Sequence, residues 1–450
     1  MNKRTHIIML LTAMLFHTLY ICALPTYRQK YYEVLEHYAN KEKDSLKYKA
    51  ALFLIDNMKY HTAPAGAAIN DYKLQIRQNG KVNDIKQLQK QWYTSLKKGS
   101  IINVPDSTII TSEYLIKNID EAWGTWKGSA WKDYVDFDCF CKYILPYRIN
   151  EENIGDEWRV PLGKQYGTLI KGVKDIKLAF AIVRDSVFKN IALSNPYCEY
   201  DLDPITCNII GKAECNQRCL LLVAVLRALG IPAVIDGTPM WADYSNKGHA
   251  WVAMVLKNGD TYTVYEKDTI ARQFNPIDAS EFLPRYKIKQ EDKCPYDIKY
   301  AKTPIKIYRI CYDTVNTIKK NTPKILASPF IKDVSQSYGL TSKVKMSVNT
   351  NDDVYLCAFL SGADWAPVAK STPMNGEVTF YNVGKNAVCV LARNSDNGRE
   401  IISTPFLVCD NGIEKHFTPS QKKHTLYIIS SMLIYYRHMG IYERRSFRRI

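Results

Sequence analysis

The 450-residue chain is poor in the features that mark specialised proteins. It has no CxxC pair and no His/Cys cluster at zinc spacing, so no metal site is expected. No apolar run approaches the roughly 20 residues a spanning helix needs; the best, 7–19 and 426–436, stop short. No basic stripe interleaved with aromatics points to nucleic acid, and no internal repeat is visible. A composition 46% hydrophobic and 24% charged excludes disordered, collagenous and multi-span membrane classes. The length suits two or three domains.

The net charge of +16 is uneven. Seven Lys and Arg against one Glu in 421–450 account for +6, and Lys3 and Arg4 add two, leaving +8 for the body. The N-terminus reads as an export signal: Lys3 and Arg4, an apolar run, then Ile21-Cys22-Ala23 before a cut. Periplasm or cell surface is therefore expected. A lipid anchor at Cys22 is the minor alternative, because bulky Ile21 fits such a site badly. Removing 1–23 leaves eleven scattered cysteines. Cys198 and Cys207 are near enough to close a loop, whereas Cys311, Cys357, Cys389 and Cys409 sit in alternating apolar runs and read as small core residues.

From 24 to 165 the pattern is mainly helical, with periodic segments at 44–58, 82–98, 112–126 and 134–145. A core region, 166–322, holds a long periodic stretch at 167–193 and an apolar helix at 216–229. Strand-like runs follow at 233–235, 250–256 and 261–265. From 323 to 418 short runs (343–348, 354–360, 377–383, 387–392, 401–408) are separated by turn pairs, which predicts an immunoglobulin- or fibronectin-III-like β-sandwich. The basic tail 419–450 fits neither pattern. Trp123, Trp126, Trp131 and Trp158, with Glu157 and Arg159, read as packing before they read as a groove.

The chemistry concentrates in Glu214-Cys215-Asn216-Gln217-Arg218-Cys219 and the apolar run that follows. A helix apolar nearly all round belongs in the centre of a fold. Cys215 at its start would meet unbonded N–H groups and the positive dipole end, which favour a thiolate nucleophile; Cys219, one turn inside, reads as packing. A thiol nucleophile needs a base, and Gly248-His249-Ala250-Trp251 supplies one at a strand start. With Asn258-Gly259 as a two-residue turn, His249 would face Asp268, with Glu266 two residues away on the same face. A loop one residue longer changes that register, so either carboxylate is a candidate for holding the imidazole, as in a triad. Trp241 and Tyr244, forced close to His249, and Trp251 beside it are candidate substrate contacts.

Cys215, the phrase Arg227-Ala228-Leu229-Gly230-Ile231-Pro232 and Gly248-His249-Ala250-Trp251, in that order, resemble the transglutaminase-like superfamily over about 190–275. The wider layout is similar to large exported bacterial members. The resemblance implies an α+β fold: a helical N-terminal region, a papain-like thiol-enzyme core with a central helix and antiparallel sheet, and the C-terminal sandwich. It also implies Cys215 as nucleophile, His249 as base and Glu266 as acid, with Asp268 its rival, and no cofactor. The chain departs from the pattern at Ala213, where glycine is usual, at Asn216, where many members carry Trp or an acid, and at Glu266, where aspartate is commoner. The expected reaction is attack on an amide of a peptide or protein, glycan-linked substrates included. Hydrolysis is expected ahead of cross-linking, because nothing in the sequence indicates calcium-dependent activation. The rival expectation is an inactive relative serving as a peptide- or glycan-binding surface scaffold. A carbohydrate hydrolase with paired carboxylates lacks an acid pair that the sequence places in one cleft.

Overall fold

The computed structural model describes residues 26–39, 45–82, 84–194, 197–241, 248–263, 304–360, 364–385, 387–395, 398–409 and 412–417. The expected signal 1–23 and tail 419–450 lie outside these residues, as do Tyr244, Glu266 and Asp268. Helix and antiparallel sheet are both well represented, so the α+β class holds. Among the described residues no helix is long and apolar enough to cross a membrane.

The N-terminal part is built from α1 (Thr26–Lys30), α2 (Tyr32–Ala39), α3 (Ser45–Met58), α4 (Ala67–Asn79) and α5 (Ile85–Leu96). They are followed by α6 (Asp106–Ile109), α7 (Ser112–Gly128), α8 (Phe137–Tyr143) and α9 (Arg159–Tyr166). Several starts are capped by the residue the pattern supplies. Asp84 accepts from Lys86 N, Thr111 from Tyr114 N and Asp136 from Cys139 N, each satisfying a helix-start donor. A short antiparallel pair, β1 (Thr62–Ala65) and β2 (Ile102–Pro105), ties the helices together. Leu54, Ile55, Leu115, Ile119, Trp126 and Phe140 share one apolar core here.

The stretch 167–193, expected as one long helix, is broken. A 3-10 turn covers Gly167–Ile170, Gly172 takes a positive φ of 81°, and α10 (Ile176–Asn190) starts afresh. Asp175 makes the new start, accepting from Lys177 N and Leu178 N. Next come β3 (Ala192–Leu193), α11 (Pro204–Ile210), β4 (Lys212–Ala213) and α12 (Cys215–Ala228). The last is buried on every side from Gln217 to Ala228, as an all-round apolar pattern requires. Trp131, Ile149, Trp158, Leu162 and Phe180 pack around it.

Against α12 lies a five-stranded antiparallel sheet: β5 (Ala233–Thr238), β6 (His249–Val255), β7 (Thr261–Tyr262), β8 (Tyr308–Ile310) and β9 (Ile331–Asp333), in spatial order β7-β6-β5-β8-β9. The remaining strands form two facing antiparallel sheets. One pairs β10 (Ser342–Ser347) with β13 (Glu377–Val383). The other joins β11 (Val354–Leu360), β12 (Asp364–Ser371), β14 (Ala387–Ser395), β15 (Gly398–Ile401), β16 (Phe406–Cys409) and β17 (Gly412–His416). Val344 and Phe380 from the first meet Leu356, Leu391 and Phe406 from the second, which makes a sandwich core. The run 401–408, expected as one strand, is two: β15 ends at Ile401 and β16 begins at Phe406, with Pro405 between.

Candidate active site

The site is set by how α12 starts, how it ends and which strand it crosses. Glu214 is its N-cap in an extended conformation (φ −74°, ψ 173°), so Cys215 is the first helical residue. Its backbone N–H belongs to the set with no carbonyl inside the helix to bond. At the far end Gly230 takes φ 72°, and a Cβ there would meet the Thr125 carbonyl oxygen at 2.9 Å; only glycine combines that conformation with that approach.

Cys215 is half-buried and not in a disulfide. Cys219, one turn inside, is buried, and its thiol donates to the Ala250 carbonyl at 3.6 Å. Ala250 follows His249 directly. The first turn of α12 therefore sits over the first residues of β6. Side chains on a helix lean toward its N-terminus, and the four residues from Cys215 to Cys219 rise about 6 Å, so Cys215 and His249 belong to the same end of the helix–sheet layer. Burial raises the thiols of Cys139, Cys141, Cys198, Cys207, Cys311 and Cys389, those of Cys141, Cys198 and Cys311 to about 12. These are inert thiols. Cys198 and Cys207 remain separate rather than bridged.

His249 opens β6 opposite Thr238 of β5. The glycine before it has a physical reason: a Cβ at Gly248 would meet the Thr238 carbonyl oxygen at 2.5 Å. The imidazole is half-buried between two indoles, with ring centroids 6.0 Å from Trp241 and 6.1 Å from Trp251. Both indoles were expected as substrate contacts. Trp241 is 3% exposed and Trp251 7%. The Trp251 N–H donates to the Tyr338 hydroxyl at 2.9 Å, and that hydroxyl donates to Asp236. Asp236 faces Trp251 across the ladder and takes a two-pronged ion pair from Arg309 at 2.9 and 2.8 Å. This buried network joins β5, β6 and β8 and fixes the strand that carries His249. The Trp251 N–H is thus committed to the scaffold.

The β6–β7 register differs from the two-residue turn. Met254 faces Tyr262, where such a turn would give Thr263, and Leu256 N–H bonds the Asp260 carbonyl. Lys257 has joined the loop, with Asn258 (φ 68°) and Gly259 (φ 79°) making the reversal. The two-residue turn that would set His249 opposite Asp268 does not form, and Glu266 and Asp268 themselves lie outside the described residues. Among the described residues no group of three His, Cys, Asp or Glu side chains is arranged to hold a metal.

The sequence reading missed an acidic cluster at the start of α12. Asp201 Oδ2 accepts from Asn216 Nδ2 at 2.7 Å and from Asn150 Nδ2 at 3.1 Å. Burial, then the Glu214 and Glu152 carboxylates, push its carboxyl up to about 7. Burial also raises Glu214. The signal was Asn216 itself, a small amide at the start of an otherwise apolar helix. A cavity of about 510 Å³ between Gly124, Trp131, Lys174 and Leu229 opens at the opposite end of α12, about 20 Å of helix away from Cys215.

No family model matches the chain, and no curated protein does. Among solved structures it is similar to a candidate cysteine protease from Cytophaga hutchinsonii, with TM-score 0.25 and 14% identity over 44% of this chain and 62% of that one. It is also similar to red sea bream transglutaminase, with TM-score 0.23 and 9% identity over 80% of this chain and 59% of that one. The chain spans about three fifths of the length of each.

Proposed function

We propose that this chain is an exported thiol enzyme of transglutaminase-like type that hydrolyses an amide bond of a peptide or protein, acting at the periplasm or cell surface. The observation that carries the reading is the Cys219 thiol on the Ala250 carbonyl, which brings the start of α12 to the start of β6. Cys215 is the nucleophile. His249 takes its proton, the thiolate adds to the carbonyl carbon, and the oxyanion forms beside the helix-start N–H groups. The imidazolium returns the proton to the leaving amine, leaving a thioester. Water, deprotonated by the same imidazole, then releases the acid and restores the thiol. Glu266 or Asp268 holds the imidazole tautomer. An amine in place of water would make the same thioester a cross-linking intermediate.

The second reading, an inactive surface scaffold that binds a peptide or glycan, draws support from the acids crowded at the start of α12. Asp201 and Glu214 oppose the dipole that would favour a thiolate. One experiment separates the two. Purified protein is incubated with a mixed peptide pool, with and without a fluorescent primary amine, and new termini, released ammonia and amine incorporation are measured. The enzyme reading expects turnover abolished in Cys215→Ala and in His249→Ala; turnover untouched by Cys215→Ala, or none in the wild type, would favour the scaffold.

A further inference from the structure

Asp201 stands out because its side chain is spent on the residue next to the proposed nucleophile. Oδ2 is shared by the Asn216 and Asn150 amides, and the Asp201 backbone carbonyl accepts from Asn153 N at 3.0 Å. Gln217, the next residue along, bonds both backbone groups of Leu202 at 2.9 and 2.7 Å. The first turn of α12 is thereby sewn to the segment 201–202 and, through Asn150 and Asn153, to the loop before α9. The groups facing Asp201 come from every element around it. They are Glu214, the N-cap of α12, Asn216 in its first turn, Asn150, Glu151 and Glu152 of the loop, the thiol of Cys198, Tyr197, and the thiol of Cys207 on α11. The strongest charges acting on it, Glu214, then Glu152 and Glu151, are acids. Asp203, two residues on, takes Lys73 for itself at 2.9 Å.

We propose that Asp201 is a positioning residue that also tunes the proposed nucleophile: through Asn216 it fixes the first turn of α12, and its carboxylate sets how much negative charge opposes a Cys215 thiolate. The inference rests on the reading of Cys215 as the nucleophile. A carboxylate at a helix start cancels part of the partial positive charge that a thiolate would use. When Asp201 gains its proton, one oxygen still accepts from the two amides, so the geometry survives while the charge disappears. Protonation near neutrality, the range to which burial and the neighbouring acids push this group, therefore removes an obstacle to thiolate formation. Acidification acts on Cys215 in two opposed ways, and the site retains thiolate further into mildly acidic conditions than a fixed charge would allow.

The test is the pH profile of Cys215 alkylation by iodoacetamide, read by peptide mass spectrometry in the wild type, Asp201→Asn and Asn216→Ala. Asp201→Asn is expected to lower the midpoint by up to about one pH unit, with the rate gain confined to the range above about pH 7, where the wild-type carboxylate is charged. Asn216→Ala, which removes the hydrogen bond and keeps the charge, is expected not to lower it. The wild type alone is expected to show a second inflection near pH 7, which keeps the test decisive if Asp201→Asn fails to fold. An unmoved or raised midpoint in folded Asp201→Asn, or a single-inflection wild-type curve, overturns the role of Asp201. If the wild-type midpoint is that of an ordinary thiol yet falls in Asp201→Asn, the coupling stands and the nucleophile reading of Cys215 fails.

Discussion

Arg227 offers the sharpest test of how the central helix is held. It interrupts an otherwise apolar helix, yet it is 2% exposed. Its guanidinium donates to the Ala233 carbonyl at 3.0 Å, to the Arg148 carbonyl at 2.8 Å and, at 3.5 Å, to that of Pro146. One side chain thus clamps the helix end to the strand that follows it and to the loop after α8. Burial, then the neighbouring Arg159, lower its pKa to about 9, so it is still charged at pH 7. Arg227→Met fills a similar volume and removes the donors. Two well-formed bonds from a charged donor are worth about 1.5–3 kcal/mol each. Relieving a dry guanidinium returns part of that, and a net loss of about 2–4 kcal/mol is expected. In urea, with a slope near ~3 kcal/mol/M for a chain this size, the tryptophan-fluorescence midpoint falls by about 1 M. Arg227→Lys recovers only part of the loss, because an ammonium cannot span the Ala233 and Arg148 carbonyls as the fork does. A loss below about 0.5 kcal/mol in Arg227→Met would refute the clamp, since two buried carbonyls cannot be left open so cheaply.

Two further outcomes follow from the geometry. His61 is buried between Phe330 and Tyr312, with ring centroids 3.9 and 4.6 Å away, and burial, then Arg148, hold its pKa down to about 3. A depressed histidine leaves stability intact above its unfolded value of about 6.5 and removes it as pH falls toward 3. The wild type should therefore lose ~2–3 kcal/mol relative to His61→Phe between pH 7.5 and 4.5; parallel urea-midpoint curves for the two proteins would contradict this. Gly248→Ala drives a methyl into the Thr238 carbonyl and shifts the strand start that carries His249. Turnover should fall at least about tenfold while Cys215 is still present, given the sensitivity of such sites to ångström displacements; wild-type turnover in a folded Gly248→Ala protein would show that the strand start does not position the base.

What could be read in advance was whatever declares itself through local pattern. The central helix was expected at 216–229 and runs Cys215–Ala228; the strands at 354–360 and 377–383 match β11 and β13. β12 was missed because Pro367 sits in its middle, which argues against a strand except at an edge, and β12 is the edge of its sheet. The break in 167–193 turned on Asp175 acting as a cap inside a periodic stretch. At the candidate site, the positions of Cys215 and His249 were legible because each opens an element. Asp201 was not, since its carboxyl becomes unusual only after folding brings Asn216, Glu214 and Glu152 to it. Arg227 read as an interruption of an apolar pattern; its use for the Ala233 and Arg148 carbonyls exists only in three dimensions.

The central claim is that the sulfur at residue 215 is activated by the ring at residue 249. Brief alkylation of the folded chain at pH 6, followed by peptide mapping of every cysteine, tests it most directly. Cys215 should be modified ahead of the burial-raised thiols, and His249→Ala should abolish that preference. Slow, even labelling of several cysteines, or a Cys215 rate indifferent to His249→Ala, would contradict it.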